Sequence, residues 1–509
     1  MTNPFRDMNP LSMMKRIPWR KILSSIGFLL LLLVTLIVLA GTWFSFQGRR
    51  EWAETKAELQ RRGEVLSYEG LVPAPVPPEQ NFFADPIWEP DANGRVDLLA
   101  LQIGPAEAAH LKAGFPSVAD LVKEGDRVKV VQAVGRRAKD RTMTPEEAAF
   151  VLAVLEPVQG DLDTLERLAK RPEARFPVDY SKGLAMPLHH VTALLKLGQV
   201  LLRRAQAEAA VGRTEQSVDD ILLILRLART VDDEPVLISF LVALSLDSLA
   251  LDVIEKQVPS WNAEQAQRVG RALGQSDILK QAARAFRGER AFGNQLVDQL
   301  KQASHGEVGK TLQMMVGVSD VENRPTGLAL IFVDVYRFAF LDGDRAYFNK
   351  THQRWLDSLE KEPGRVHPHD FENIGTELER EKQEMNRYRH VLTLVMMPAL
   401  TSAFSRAASV ETRVRQARIA CAIQRYALSE RALPSALDQL VPRYLEGIPT
   451  DVISGRPMHY RSDGKEYVLW SVGWNEKDDR GEGSPSERRP EKKLDWVWKG
   501  RLPEVWRAL

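Results

Sequence analysis

The residue types that could do chemistry at close spacing are His367, His369, Asp370 and Glu372, set around Pro368. Imidazole nitrogens and carboxylate oxygens are the ligands of a catalytic zinc, so this cluster points to a metal-dependent hydrolase. Two features argue against that. Residues 363–370 read as a loop ending at Asp370 as a helix N-cap, and nothing nearby completes a coordination shell. His189-His190 opens a helical stretch in which only one ring can face any given site, and helix-end solvation is the expected role. Cys421, among Val414, Ala417, Ile419 and Ile423, reads as a small core residue. Neither a Gly-x-Ser-x-Gly elbow nor a phosphate-binding glycine loop occurs, and no helix carries a zinc-protease pair. The preferred reading is thus a non-enzyme, with a metal-dependent hydrolase using His367 to Glu372 as the alternative.

The element that places everything else is residues 22–46, an apolar run without a charged residue. Crossing a bilayer core as a helix takes roughly 20 apolar residues, so the run predicts a transmembrane helix. The competing reading is a cleaved signal peptide, with Val38-Leu39-Ala40 as the cleavage site. A signal core is about 7 to 15 residues, whereas this run continues into Trp43, Phe44 and Phe46, which suit the membrane interface. Lys15, Arg16, Arg20 and Lys21 precede it and Arg49 and Arg50 follow, which puts the N-terminus in the cytoplasm. A wider window that adds Arg6, Lys56, Arg61 and Arg62 makes the two sides equal.

Composition bounds the rest. The chain has 509 residues, 44% of them hydrophobic, enough for two to four domains on the usual length prior. A net charge of +1 gives no electrostatic reason to expect nucleic acid. The single cysteine excludes an internal disulfide or a cysteine zinc cluster, and suits a bacterial envelope better than a eukaryotic secretory route. The apolar stretches 236–246, 326–333 and 391–405 are interrupted by Asp247, Asp334 and Pro398, and read as buried helices.

In chain order, 1–21 is a cytoplasmic tail, 22–46 the span, and 47–95 a helical stalk ending at Gly63 followed by a Pro-rich extended connector. Proline-rich segments can serve as ligands for aromatic grooves. The preferred reading is a strap over the next domain, because Phe82, Phe83, Ile87 and Trp88 want burial. Residues 96–390 form a mainly helical extracytoplasmic body, with a short strand-like run at 96–103. Thr144-Pro145-Glu146-Glu147 is a capping box with proline at the first helical position. Two apolar faces, Leu188 to Leu202 and Val218 to Leu227, are joined at Val211-Gly212-Arg213 and predict an antiparallel helical hairpin. It has the length of one tetratricopeptide unit, but no second copy recurs near 34 residues. Peptide binding by this hairpin would need a concave apolar groove.

The segments Arg171 to Tyr180, Glu234 to Ser239 and Val76-Pro77-Pro78-Glu79-Gln80-Asn81-Phe82-Phe83 resemble a family of uncharacterised single-span bacterial proteins. That resemblance implies an architecture and carries no activity.

Residues 391–509 resemble the globular domain of the major pseudopilin of type II secretion, a helix packed on a small antiparallel sheet. The resemblance rests on a long helix at 399–428, Leu433 to Pro442, Ile448-Pro449-Thr450-Asp451, Gly455 to Tyr460 and Tyr467 to Gly473. Independently, Asp463-Gly464 predicts a two-residue hairpin turn, and 496–498 a further strand. In the pseudopilins the loop after the Ser-x-Gly strand holds calcium. By that resemblance Ser471, Asn475, Asp478 (or Asp479) and Asp495 are the metal ligands here, all oxygen donors that calcium favours. Asn475 stands where aspartate is usual, Trp474 is atypical, and 484–493 is a charged insertion. The pilin-type glutamate after Gly27-Phe28 is replaced by Leu32, so the domain is a terminal module and does not assemble into a pilus through the first helix.

The expected fold is thus mainly α, with an N-terminal transmembrane helix, a helical-bundle body and a small C-terminal α+β module. The expected protein is single-pass in the bacterial inner membrane, its body in the periplasm, in a structural or interaction role that scaffolds secretion or envelope machinery. The expected partners are the membrane and envelope proteins, without nucleic acid.

Overall fold

The apolar run does form a helix, and the helix does not stop at its end. In this computed structural model α1 spans Trp19–Arg61, within a description that covers residues 19–91, 96, 102–138, 141–304, 307, 327–483 and 494–506. The expected tail up to residue 18, most of the 96–103 run and the 484–493 insertion lie outside the described residues. The hydroxyls of Thr35 and Thr42 return to the carbonyls of Leu31 and Val38 at 2.8 Å, so both threonine side chains of the run are satisfied within the helix. That is what a hydrocarbon surrounding demands.

The helices that follow are α2 (Pro105–Gly114), α3 (Arg127–Arg137), α4 (Pro145–Leu155), α5 (Gln159–Leu168), α6 (His189–Ala210), α7 (Thr214–Arg229) and α8 (Leu237–Gln257). Then come α9 (Ala263–Leu273), α10 (Ile278–Gln302), α11 (Gly327–Ala339), α12 (Leu341–Glu360), α13 (Pro368–Gln383) and α14 (Val391–Glu430). Strands β1 (His459–Ser462), β2 (Glu466–Ser471) and β3 (Trp496–Arg501) make one antiparallel sheet in that order, with Tyr460 opposite Leu469 and Leu469 opposite Trp498. The fold is mainly helical with a small sheet near the C-terminus, as the periodicities predict.

The chain divides into two units. One comprises Met1–Arg62, Val297–Lys350 and Glu381–Val395; the other comprises Gly63–Leu296, Thr351–Arg380 and Met396–Leu509. In the first, Gly48 on α1 and Gly343 on α12 meet so closely that a side-chain carbon at Gly48 would lie 2.7 Å from the Gly343 amide nitrogen. Arg345 lies 4.2 Å over the Trp52 ring and is held by Asp298 at 2.7 Å. The buried Asp344 carboxylate accepts from the Tyr336 hydroxyl at 2.5 Å and from the backbone N–H groups of Leu392 and Thr393 at 2.7 and 3.2 Å. It thereby satisfies two of the N–H groups that the start of α14 leaves without intrahelical partners.

The second unit begins with α2 to α5. The capping box at α4 forms as predicted, with Thr144 N–H donating to Glu147 at 2.9 Å and Glu147 N–H to the Thr144 hydroxyl at 3.2 Å. The hairpin α6–α7 turns at Gly212, whose φ of +81° places it in the left-handed region that glycine tolerates. An aromatic centre joins α10, α12, α13 and α14: Phe404 stacks on Phe286 at 3.8 Å, with Phe371 at 4.4 Å and Trp355 at 5.7 Å. The sheet closes on α14 through Gln416, which donates to the Trp496 carbonyl at 2.7 Å.

Several expectations are corrected. The hairpin turn falls one residue later: Asp463 N–H reaches the Glu466 carbonyl at 3.1 Å, so Gly464 and Lys465 are the two loop residues. The helix after residue 363 begins at Pro368, placing Asp370 in its first turn and not at its cap. The two pieces expected at 391–405 and 399–428 are one helix running through Pro398. Burial also divides the apolar helices. Leu237–Ser260 and Val391–Glu430 are, like α1, long and apolar enough to cross a membrane, but their most apolar windows are 67% and 59% buried, against 0% for α1. In α11, Phe332 is exposed where burial was expected, and Val335 and Phe338 beyond it are exposed as well.

Candidate functional site

The segments Val76 to Phe83, Arg171 to Tyr180 and Glu234 to Ser239 converge in the second unit on His190. Asn81, in the Pro-rich strap, accepts from Arg175 N–H at 2.7 Å and donates to the Arg175 carbonyl at 2.8 Å. Arg171 donates to the carbonyls of Asn81 and Ala84 at 2.7 and 3.1 Å. The strap is thus stapled down, and Phe82, Phe83 and Trp88 are buried beneath it. His190 is fully buried rather than solvated at a helix end: its Nε2 meets Glu234 at 2.9 Å, and its ring stacks on Phe176 at 4.0 Å with Phe83 edge-on at 5.5 Å. The pair links the start of α6 to the segment just before α8, beneath the strap.

Nearby sits a carboxyl of a different kind. Glu289 is partly buried on α10, and burial pushes it up to about 7 from 4.5. Its charge also raises the Tyr68 phenol, though burial of Tyr68 does so more. Folded Glu289 therefore holds its proton to higher pH than unfolded Glu289. The stability tied to that proton is full below about 4.5 and lost as pH rises through 7. Glu289→Gln is expected to stabilise the protein at pH 8 by about 1 to 3 kcal/mol with little effect at pH 4.5, read from denaturant unfolding at both values.

The residues of the 367–372 cluster do not converge. His369 is exposed in the first turn of α13; Asp370 accepts from Ser358 at 3.0 Å; Glu372 accepts from the Trp474 indole at 3.1 Å; His367 lies 3.6 Å from Glu362. Among the described residues, no group of three or more His, Cys, Asp or Glu is placed to hold a metal ion.

The C-terminal loop brings its oxygen donors near one another but engages each with protein donors. Ser471 donates to the buried Asp451 at 2.5 Å, and Asn475 to Asp479 at 3.0 Å. Asp478 accepts from the Trp470 indole at 3.0 Å, and Asp495 from the N–H groups of Asp479 and Gly481 at 3.2 and 2.7 Å. Asp451, outside the predicted set, joins this network. It also accepts from Ile453 and Val472 N–H, at 3.0 and 3.3 Å, and so ties the 451–454 turn to the end of β2.

A groove of about 1020 Å³ runs along α7, α9 and the start of α10, with leucines 222, 223 and 225 among its lining residues. Its walls are ion pairs: Arg268 with Asp219 at 2.5 Å, Arg284 with Asp233 at 2.6 Å, and Arg229 with Asp247. Arg226 is spent on the carbonyls of Ala169 and Arg171 at 3.2 and 2.6 Å, and burial lowers its pKa. Lys170 and Lys280 are exposed on the rim without a partner among the described residues. Gln281 is buried at the wall, and its side-chain oxygen has no donor among them. Such a surface offers apolar contact, a hydrogen-bond acceptor and two available cations. Comparison with protein-family models, curated proteins and solved structures finds no match.

Proposed function

We propose that this is a membrane-anchored interaction protein, single-pass in a bacterial inner membrane with its N-terminus in the cytoplasm and its body in the periplasm. Its role is structural, scaffolding secretion or envelope machinery. The observation that carries the reading is α1: its apolar window is wholly exposed, with a mean hydropathy of 2.8, whereas the other two apolar helices bury most of theirs. An exposed apolar surface of that length is stable only in lipid. The basic residues closest before the run favour the cytoplasmic N-terminus. The groove along α7 is the surface offered to a protein partner, its free rim lysines suiting an acidic segment.

The reading is tested by crosslinking in intact cells followed by recovery through a C-terminal tag. Envelope proteins are expected to come with the wild type and to be lost with Lys170→Glu/Lys280→Glu. Recovery of the protein alone would remove the scaffold role. In spheroplasts, added protease is expected to digest the tag; a tag digested only in inverted vesicles would reverse the orientation.

A further inference from the structure

An exposed apolar face on a helix calls for a covering partner or a membrane, and from Phe332 on α11 carries such a face beside its packed one. Val333, Tyr336 and Ala339 turn inward, while Phe332, Val335 and Phe338 are 39%, 41% and 55% exposed. These three recur at every third residue and so share one face. That face is continuous with α1. The Phe338 ring lies 3.5 Å from where a side chain at Gly41 would begin, and Phe340 packs on Phe44 at 5.4 Å. At the same level α1 exposes Trp43 and Phe46, 65% and 63% accessible. Charged groups of both signs edge this surface: Arg49, Lys301 and Arg337, with Asp334 and Asp342, line an open cleft of about 650 Å³ beside Phe338, Lys301 pairing with Asp342, and Arg389 sits 5.0 Å over the Phe44 ring.

We propose that α11 is a second membrane contact, its Phe332–Val335–Phe338 face seated in the boundary between acyl chains and headgroups beside the end of α1. The occupant of this face is lipid, because the face is continuous with the apolar surface that α1 presents to the bilayer. The proposal rests on the reading that α1 spans the membrane. Aromatic side chains suit this depth, having an apolar body and a tolerance for the wet boundary. The cations at the edge then meet the phosphate layer, as arginine and lysine do at helix ends.

The test uses the full chain in phospholipid vesicles. The single cysteine, Cys421, is buried and is replaced by serine. Spin labels are placed one at a time on cysteines substituted for Val335, Phe338, Leu32 in the run, and Lys477 on the exposed C-terminal loop. Collision rates with oxygen, which concentrates in lipid, and with a water-soluble nickel chelate give the depth of each label. Labels at 335 and 338 are expected to resemble Leu32 in favouring oxygen, with Lys477 favouring nickel. A lipid-facing label at 32 with water-facing labels at 335 and 338 would overturn the proposal and leave the span standing. A water-facing label at 32 would overturn the span and the proposal together.

Discussion

Glu64→Ala is expected to lower the unfolding free energy by about 3 to 5 kcal/mol, the cost of leaving a buried charge without its partner. Three residues beyond the end of α1, after a turn at Gly63 with φ of +79°, Glu64 accepts twice from Arg287 at 3.1 Å and also from Arg290 and, at 3.3 Å, Gln353. Arg290 is wholly buried, and Gln353 holds its other arm at 2.7 Å. Arg287 has a second carboxylate, Glu360, at 2.8 and 2.9 Å. Removing Glu64 therefore costs more through Arg290 than through Arg287. Burial alone would raise the Glu64 carboxyl; the hydrogen bonds and charges of Arg287 and Arg290 outweigh it and hold the group at about 2, below its ordinary 4.5. With the folded pKa depressed, the stabilisation is full above 4.5 and lost as pH falls toward 2. Denaturant unfolding of wild type and variant between pH 7 and pH 3 checks both statements. The gap should narrow with acid, and Glu64→Met/Arg290→Met should be milder than Glu64→Ala alone, since it leaves no orphan charge. A single variant as stable as wild type at pH 7 would rule out the buried pairing.

That cluster shows where the sequence stops being legible. Glu64 and Arg290 lie 226 positions apart, and no local pattern joins them. Local patterns did carry far: the apolar run marked α1, Thr144 to Glu147 marked the start of α4, Gly212 the hairpin, and alternation the strands beside Asp463. Each depends on residues within a turn or two, where backbone geometry dictates the side-chain spacing. The burial of Phe82, Phe83 and Trp88 was also legible, because aromatic groups in a chain too rich in proline for a helix must cover something. What covers them was not, for Asn81 finds Arg175 across 94 positions and His190 finds Glu234 across 44. The histidine pair misled for the same reason: a helix start is solvated unless a distant segment covers it. The acidic loop near the C-terminus was legible as a set of oxygen donors, but Asp451, which takes the Ser471 hydroxyl, comes from a turn 20 residues earlier.

Gly288→Ala is the second large effect. Gly288 sits inside α10, where glycine normally weakens a helix by about 0.5 to 1 kcal/mol relative to alanine, so propensity alone predicts a gain. The packing reverses the sign. A methyl carbon there would fall 1.8 Å from the Pro235 carbonyl oxygen and 2.4 Å from its carbon. Those are backbone atoms just before α8, which no rotamer change can move aside. A loss of about 3 kcal/mol is expected, at the upper end for overpacking. Gly375→Ala in α13 is the control: nothing lies within 4 Å of its new carbon, so it should gain about the propensity difference. Pro235 follows Glu234, so a backbone pushed away from α10 carries the carboxylate off His190, now 2.9 Å away. Gly288→Ala and His190→Ala should then be non-additive, the double variant losing less than the sum of the singles. Additive losses would mean that α8 absorbs the methyl without moving Glu234.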